Sequence, residues 1–137
     1  MDVNLKQIND VSCGHQSAVA AVTALAAASA GANGDDQVNI NARGLKLIID
    51  ITALSGTSPT LTVTIQGKDA VSGKYFTILA SAALAAQATT VLTVFPGLTA
   101  SANVTANDVL PRDWRVIYAI GGTGPSVTAT ISAALLM

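Results

Sequence analysis

The residue types best suited to chemistry in this sequence are a cysteine and a histidine, Cys13 and His15, one residue apart. Such a pair can act as nucleophile and base, or supply two ligands to a zinc ion. They are the single cysteine and the single histidine of the 137 residues, so further metal ligands would have to be aspartates. Both lie in a polar N-terminal stretch with no strong apolar period. We therefore expect a solvated segment or a partner contact here rather than a catalytic or metal site.

Two other motifs superficially suggest ligand binding. Asp35-Asp36 follows Gly34, but the D-x-[DN]-x-[DN]-G spacing of a calcium loop is absent, and a turn with local hydrogen bonds fits better. The glycines of residues 121–124 lack the Lys-Ser/Thr of a phosphate-binding loop and precede a predicted strand rather than a helix. With no G-x-S-x-G or H-E-x-x-H motif either, we expect no catalytic residue, no cofactor and no metal.

The densest charged and aromatic cluster is Arg112-Asp113-Trp114-Arg115. Tryptophan and arginine are enriched at the energetic centres of protein interfaces, so Arg112, Trp114 and Arg115 are candidate interface residues. The alternative is that Trp114 fills the core at the head of a strand, with the arginines solvated beside it. Arg43, just before a long apolar run, is a weaker candidate of the same kind.

The composition of the chain is unusual, and it limits the kind of fold that could position these residues. Half of the residues are hydrophobic, 4% are aromatic and 11% are charged, against about 25% charged in typical soluble domains. High hydrophobicity with a net charge of −1 excludes a disordered chain and argues against nucleic-acid binding. One cysteine cannot form an internal disulfide, and the length fits a single domain.

No segment resembles a membrane span or a typical secretion signal. The longest apolar run, residues 18–30, is interrupted by Thr23 and Ser29 and is shorter than the roughly 20 residues that a spanning helix needs. Ala28-Ser29-Ala30 has the form of a cleavage site, but the first ten residues carry one Lys and two Asp instead of a positive region. We expect a chain made in the cytoplasm, with no membrane partner, that is used there or packaged into a particle assembled there.

The chain divides into an N-terminal arm, residues 1–17, and one domain, residues 18–137. Scattered apolar residues in the arm, Leu5, Ile8 and Val11, are candidate contacts with a partner. The alanine-rich residues 18–30 fit either a helix or a strand, and the GANGDD sequence at residues 31–36 ends that element with a turn.

Beyond the turn, apolar residues alternate with a period of two. Residues 45–54 and 61–66 read as strands joined by an SGTSP turn, and residues 114–120 and 127–135 as strands joined by a GGTGP turn. Residues 75–79 and 89–95 predict two more strands, and the irregular residues 98–113 predict a functional or interface loop. The pattern predicts an all-β protein, an antiparallel β-sandwich (jelly-roll or Ig-like) of about seven or eight strands.

One internal repeat is visible. Residues 51–65 and residues 117–131 align without gaps, and eight of the fifteen pairs are identical, including the shared G-T-x-P. The simpler interpretation is that two hairpins use the same turn chemistry. The alternative is a duplicated half related by a pseudo-twofold axis, and both interpretations predict the same two hairpins.

Several combined motifs resemble a group of small tailed-bacteriophage virion proteins. They are N-x-R-G at residues 41–44, SGTSPTL at residues 55–61, F-P-G at residues 95–97, and LPRDWR followed by GGTGPS between residues 110 and 126. The resemblance covers roughly residues 37–135 and transfers no catalytic or ligand residue.

The resemblance implies a non-enzymatic capsid decoration (cement) protein. Such a protein sits on the outer head surface and clamps subunits of the major capsid protein, often as a homotrimer. The alternative locations and classes are a tail-associated structural protein and, less favoured because there are only five aromatic residues, a carbohydrate-binding or cell-surface β module. The low charge fits an assembly subunit, because exposed apolar patches usually mark protein contacts.

Overall fold

The computed structural model of the chain describes residues 17–18 and 23–136. Within these ranges the protein contains β-strands and no helix, as the sequence predicts. The nine strands are β1 (Ser17–Ala18), β2 (Thr23–Ala28), β3 (Ala32–Asn33), β4 (Gln37–Val38), β5 (Gly44–Lys68), β6 (Tyr75–Ala80), β7 (Thr89–Val94), β8 (Thr105–Ala106) and β9 (Asp113–Leu136).

Two very long strands organise the molecule. β5 and β9 pair antiparallel over almost their whole length, from Gly44 opposite Leu136 to Gly67 opposite Trp114. β6 and β7 line the outer side of β5, while β1, β2, β3 and β4 line the outer side of β9. Every described pairing of strands is antiparallel except that of β7 with β8, which is parallel. The predicted antiparallel arrangement is therefore largely confirmed.

The two predicted hairpins are wrong. The SGTSP and GGTGP segments do not reverse the chain, because each lies in the middle of a continuous strand, β5 or β9. The two segments face each other, with Thr57 opposite Thr123, and the register of the ladder shifts on both sides of this point. Glycine and proline serve a bulge in a strand as well as they serve a tight turn, so the residue types alone do not distinguish the two.

The repeat detected in the sequence is paired with itself at these two segments. We call them the bends, because a register shift of this kind bends the strand. Gly56 and Gly122 both have a positive φ, 111° and 108°, and the next repeat-related pair, Ser58 and Gly124, has φ of 51° and 57°. A Cβ on Gly56 would lie 2.6 Å from the carbonyl oxygen of Gly124, and one on Gly122 would lie 2.7 Å from that of Ser58. The two repeats thus adopt matching backbone conformations around a local pseudo-twofold axis.

The remaining strand assignments are partly as expected. The ambiguous residues 18–30 include the strand β2, and the predicted strands at 75–79 and 89–95 correspond to β6 and β7. The predicted turn at 31–36 includes the short strand β3, and the predicted arm boundary differs slightly because Ser17 already pairs with β9. All described strands belong to one hydrogen-bonded sheet, so the fold is all-β and mostly antiparallel.

Alternating side chains on one face of this sheet form a single core. The core draws on both sides of the bends in β5 and β9, so the two halves of the sheet share it. Its fully buried large members are Trp114, Leu45, Leu47, Ile49, Leu61, Ile65, Leu92, Ile131, Leu135, Val63, Val94 and Val116.

A buried asparagine joins the segments at the end of the sheet farthest from the bends. The Asn39 side chain donates hydrogen bonds to the carbonyls of Ala42, at 2.8 Å, and Leu110, at 3.0 Å, and accepts one from the Ala42 amide at 2.9 Å. The amide of Leu110 donates to the carbonyl of Arg43 at 2.9 Å, and the amide of Asn39 donates to the carbonyl of Arg112 at 2.6 Å. These bonds hold the chain just before β5 against the chain just before β9.

Candidate interaction surface

The candidate interface residues of the sequence have different environments. Leu5, Ile8 and Val11 lie outside the described residues. Arg43 and Arg112 are exposed, and their backbones are held close together through Leu110 and Asn39. The structure therefore brings together two arginines that are far apart in sequence.

Trp114 and Arg115 are not exposed contacts of this kind. Trp114 is 2% exposed and belongs to the core, as the alternative interpretation expected. Its indole Nε1 is buried and has no hydrogen-bond partner among the described atoms. Arg115 is half-buried: its guanidinium carbon lies 3.4 Å from the centre of the Tyr75 ring, and its Nε donates to Gln66 Oε1 at 2.9 Å.

Exposed apolar side chains surround the two exposed arginines. Val38, Ile40 and Val109 are 54%, 50% and 55% exposed. Val38 and Ile40 flank the buried Asn39, and Val109 precedes the buried Leu110, whose carbonyl accepts the Asn39 hydrogen bond. The backbone contacts therefore place these three side chains at one end of the sheet.

Phe76 and Pro111 extend this apolar surface. Both side chains lie directly over Gly67, where a Cβ would collide with either of them. Phe76 is 47% exposed. We call the surface formed by Val38, Ile40, Phe76, Val109 and Pro111 the end patch, and Arg43 and Arg112 lie at its border. Exposed apolar side chains bordered by arginines are typical of a protein contact.

Sequence reasoning missed the end patch. Its arginines were recognised, but its apolar residues come from three separate segments that only the fold brings together. In the sequence, the one local sign of the patch is the alternation of apolar and polar residues at Val38, Asn39 and Ile40. In the structure the polar Asn39 is buried, whereas the two apolar residues are exposed.

A second, polar cluster lies across β5, β6, β9 and the segment between β3 and β4. Lys68 Nζ lies 2.9 Å from Asp36 Oδ2, and the Tyr75 hydroxyl donates to Asp36 Oδ1 at 2.8 Å. Hydrogen bonds from Lys68 and Tyr75 lower the pKa of the Asp36 carboxyl, and the hydrogen bond and charge of Asp36 raise the pKa of Lys68. Together with Arg115, stacked on Tyr75, these residues fasten four segments to one another at the surface.

Residues 17–18 and 23–136 hold no group of three or more His, Cys, Asp or Glu side chains that could bind a metal ion. In the same ranges, no helix is long and apolar enough to cross a membrane. Comparisons of the chain with protein-family models, with curated proteins and with solved structures found no match.

Proposed function

We propose that this protein is a non-enzymatic structural subunit of a tailed-bacteriophage virion. Its most specific form is a capsid decoration protein, assembled in the host cytoplasm, that binds the outer head surface as a homotrimer and stabilises contacts between major capsid proteins. No nucleic acid, membrane or cofactor takes part in this role.

The observation that carries the proposal is the end patch and its place in the fold. Two of the motifs that resemble virion proteins, N-x-R-G and L-P-R-x-W-R, meet there through the hydrogen bond between Leu110 and Arg43. The motifs thus place two exposed arginines beside the exposed apolar side chains of the end patch, a combination typical of a protein contact. A surface of this kind is costly to leave in water and is stabilised when another protein covers it.

The two halves of the sheet fit the same role. We infer that the bends at Thr57 and Thr123 let the halves pack as two layers around the shared core, in the manner of a sandwich. A two-layer body with apolar side chains exposed at one end suits a subunit that contacts its neighbours through that end.

The proposal is tested by adding the purified protein to expanded heads that lack it. We expect the protein to co-sediment with the heads and to raise the temperature at which they rupture. The double substitution Arg43→Ala/Arg112→Ala should weaken co-sedimentation at least tenfold, whereas the matched control Lys46→Ala/Lys74→Ala removes two exposed charges elsewhere and should bind normally. Wild-type protein that neither binds nor stabilises heads would contradict the proposal.

A further inference from the structure

The end patch lies beside the point where the N-terminal segment joins the sheet. Ser17 of β1 pairs with Leu135 near the end of β9, and the neighbouring Leu136 pairs with Gly44. The amide of Arg43, at the border of the patch, donates to the carbonyl of Leu136 at 2.8 Å. Ser17, to which residues 1–16 are joined, therefore lies at the same end of the molecule as the exposed apolar surface.

The sequence of residues 1–16 is complementary to the end patch. The patch offers apolar side chains with Arg43 and Arg112 at its border. Residues 1–16 carry apolar side chains at short spacing together with two aspartates and one lysine, Lys6, so their side chains have a net negative charge with His15 neutral. The apolar and acidic residues concerned are Asp2, Val3, Leu5, Ile8, Asp10 and Val11. Such a segment can cover apolar side chains and place a carboxylate beside an arginine.

The direction and length of this segment favour the patch of another copy. β1 runs antiparallel to β9, so the chain enters the sheet from beyond the end at which Leu135 and Leu136 lie. Sixteen residues can extend over roughly 50 Å, whereas a compact chain of this size has a radius of gyration of about 14 Å. The segment leaves the sheet at this end and is long enough to reach a neighbouring molecule.

The patch also offers an edge to pair with. Among the described strands, β4 pairs with β9 alone, so the other side of Gln37–Val38 is an open sheet edge. An extended segment from another chain can hydrogen-bond to such an edge while its side chains fill the neighbouring apolar surface.

We propose that residues 1–16 of each copy lie across the end patch of the next copy. The contact buries Val38, Ile40 and Val109, and it pairs the aspartates of the segment with Arg43 and Arg112. Substitution of these arginines therefore weakens head binding by removing the self-association on which the proposed function depends. Repeated from copy to copy, this exchange is a head-to-tail contact, which closes into the homotrimer of the proposed function when the rotation between copies is threefold. The inference builds on the self-association included in the proposed function and names the surfaces that produce it.

The test is a disulfide between the segment and the patch. Cys13 is the only cysteine, so Cys13→Ser gives a background in which Leu5→Cys and Val109→Cys introduce the only two thiols. After mild oxidation, non-reducing electrophoresis should show covalent dimers and higher oligomers. The matched control pairs Leu5→Cys with Thr57→Cys, an exposed residue at the bends, and should stay largely monomeric. A monomer with an internal disulfide, or no preference over the control, would overturn the inference.

A second measurement does not need oxidation. Val109→Asp should reduce the molar mass in analytical ultracentrifugation to that of one chain, because it places a carboxylate in the apolar contact. Val91→Asp, at another exposed valine on β7, should leave the mass unchanged, and circular dichroism checks that both variants keep the sheet. Val109→Asp protein of unchanged mass would count against the inference.

These results are distinguishable from failure of the proposed function. Wild-type protein that binds heads without cross-linking between copies would refute the exchanged segment alone. Protein that cross-links between copies but never binds heads would refute the capsid role alone.

Discussion

At the scale of single residues, the bends depend on two glycines in a conformation that other residues rarely adopt. Gly56 and Gly122 combine a positive φ with a close approach of the opposite strand, so a side chain there would meet both backbone strain and a collision. Gly73 also has a positive φ, 74°, but nothing lies within 4 Å of its Cβ position.

This contrast predicts different costs for the same substitution. Gly73→Ala should lower the free energy of unfolding by about 1–2 kcal/mol, the cost of a left-handed alanine. Gly56→Ala and Gly122→Ala should each cost clearly more, because the facing carbonyl must also move. Urea denaturation measures the three values, and equal losses at all three positions would show that the bends are not sterically tight.

Asn39 is the second residue for which we expect a large effect, because its hydrogen bonds to Ala42 and Leu110 join two of the segments that form the end patch. Asn39→Ala removes three side-chain hydrogen bonds and leaves buried backbone groups without partners, so we expect a loss of about 3 kcal/mol in the free energy of unfolding. Gln37→Ala is the matched control, since the Gln37 side chain makes one exposed hydrogen bond, to the Asp35 carbonyl. Thermal or urea unfolding compares them, and similar losses for both variants would argue against a structural role for Asn39.

At the scale of the strands, the sequence predicted the elements better than their connections. The apolar alternation of residues 45–54 and 61–66 correctly indicated strands, because buried and exposed side chains alternate in any half-buried strand. It could not show whether Gly56 and Pro59 reverse the chain or bend it, since that depends on the pairing of β5 with the distant β9. The arginines of the end patch were identified because arginine is enriched at the energetic centres of interfaces, whereas Val38 and Phe76 lie on strands that only the fold places in one sheet.

The polar cluster that joins the strands of one half predicts a dependence of stability on pH. The pKa of Asp36 is lowered in the folded protein, so its contribution is present above the ordinary aspartate value and is lost as the pH falls through the lowered pKa. Asp36→Asn should therefore be destabilised relative to wild type at pH 6, and the difference should shrink towards pH 3.

Asp35→Asn is the control for this effect, because the neighbouring Asp35 side chain accepts no hydrogen bond from the described residues. It should follow the wild-type stability curve. Denaturation midpoints over a pH series provide the comparison, and a constant gap between Asp36→Asn and wild type would refute the role of the Asp36 charge.

At the scale of the whole molecule, β5 and β9 make the two halves one cooperative unit. Leu47 and Trp114 lie on opposite sides of the bends, Leu47 opposite Ala133 and Trp114 opposite Gly67. Both nevertheless belong to the same core. Leu47→Ala should lower the stability reported by Trp114 fluorescence by about 3 kcal/mol, with the same midpoint by circular dichroism. A Trp114 transition that does not shift would mean that the halves unfold independently.

The low charge of the chain takes on a more definite meaning at this scale. The core accounts for the alternating apolar residues, and the end patch holds four of the large apolar residues that the core leaves exposed, Val38, Ile40, Phe76 and Val109. In the proposed assembly a neighbouring copy covers part of this surface, and a composition of this kind is what we expect of an assembly subunit.

The central claim is that the chain is a head component of a virion, and its most direct test is immunogold labelling of purified intact particles, with the amount of the chain measured by mass spectrometry. The account predicts many copies per particle, with gold confined to the outer head surface. Label on the tail would move the protein to the alternative location, and particles that contain none of the chain would contradict the account.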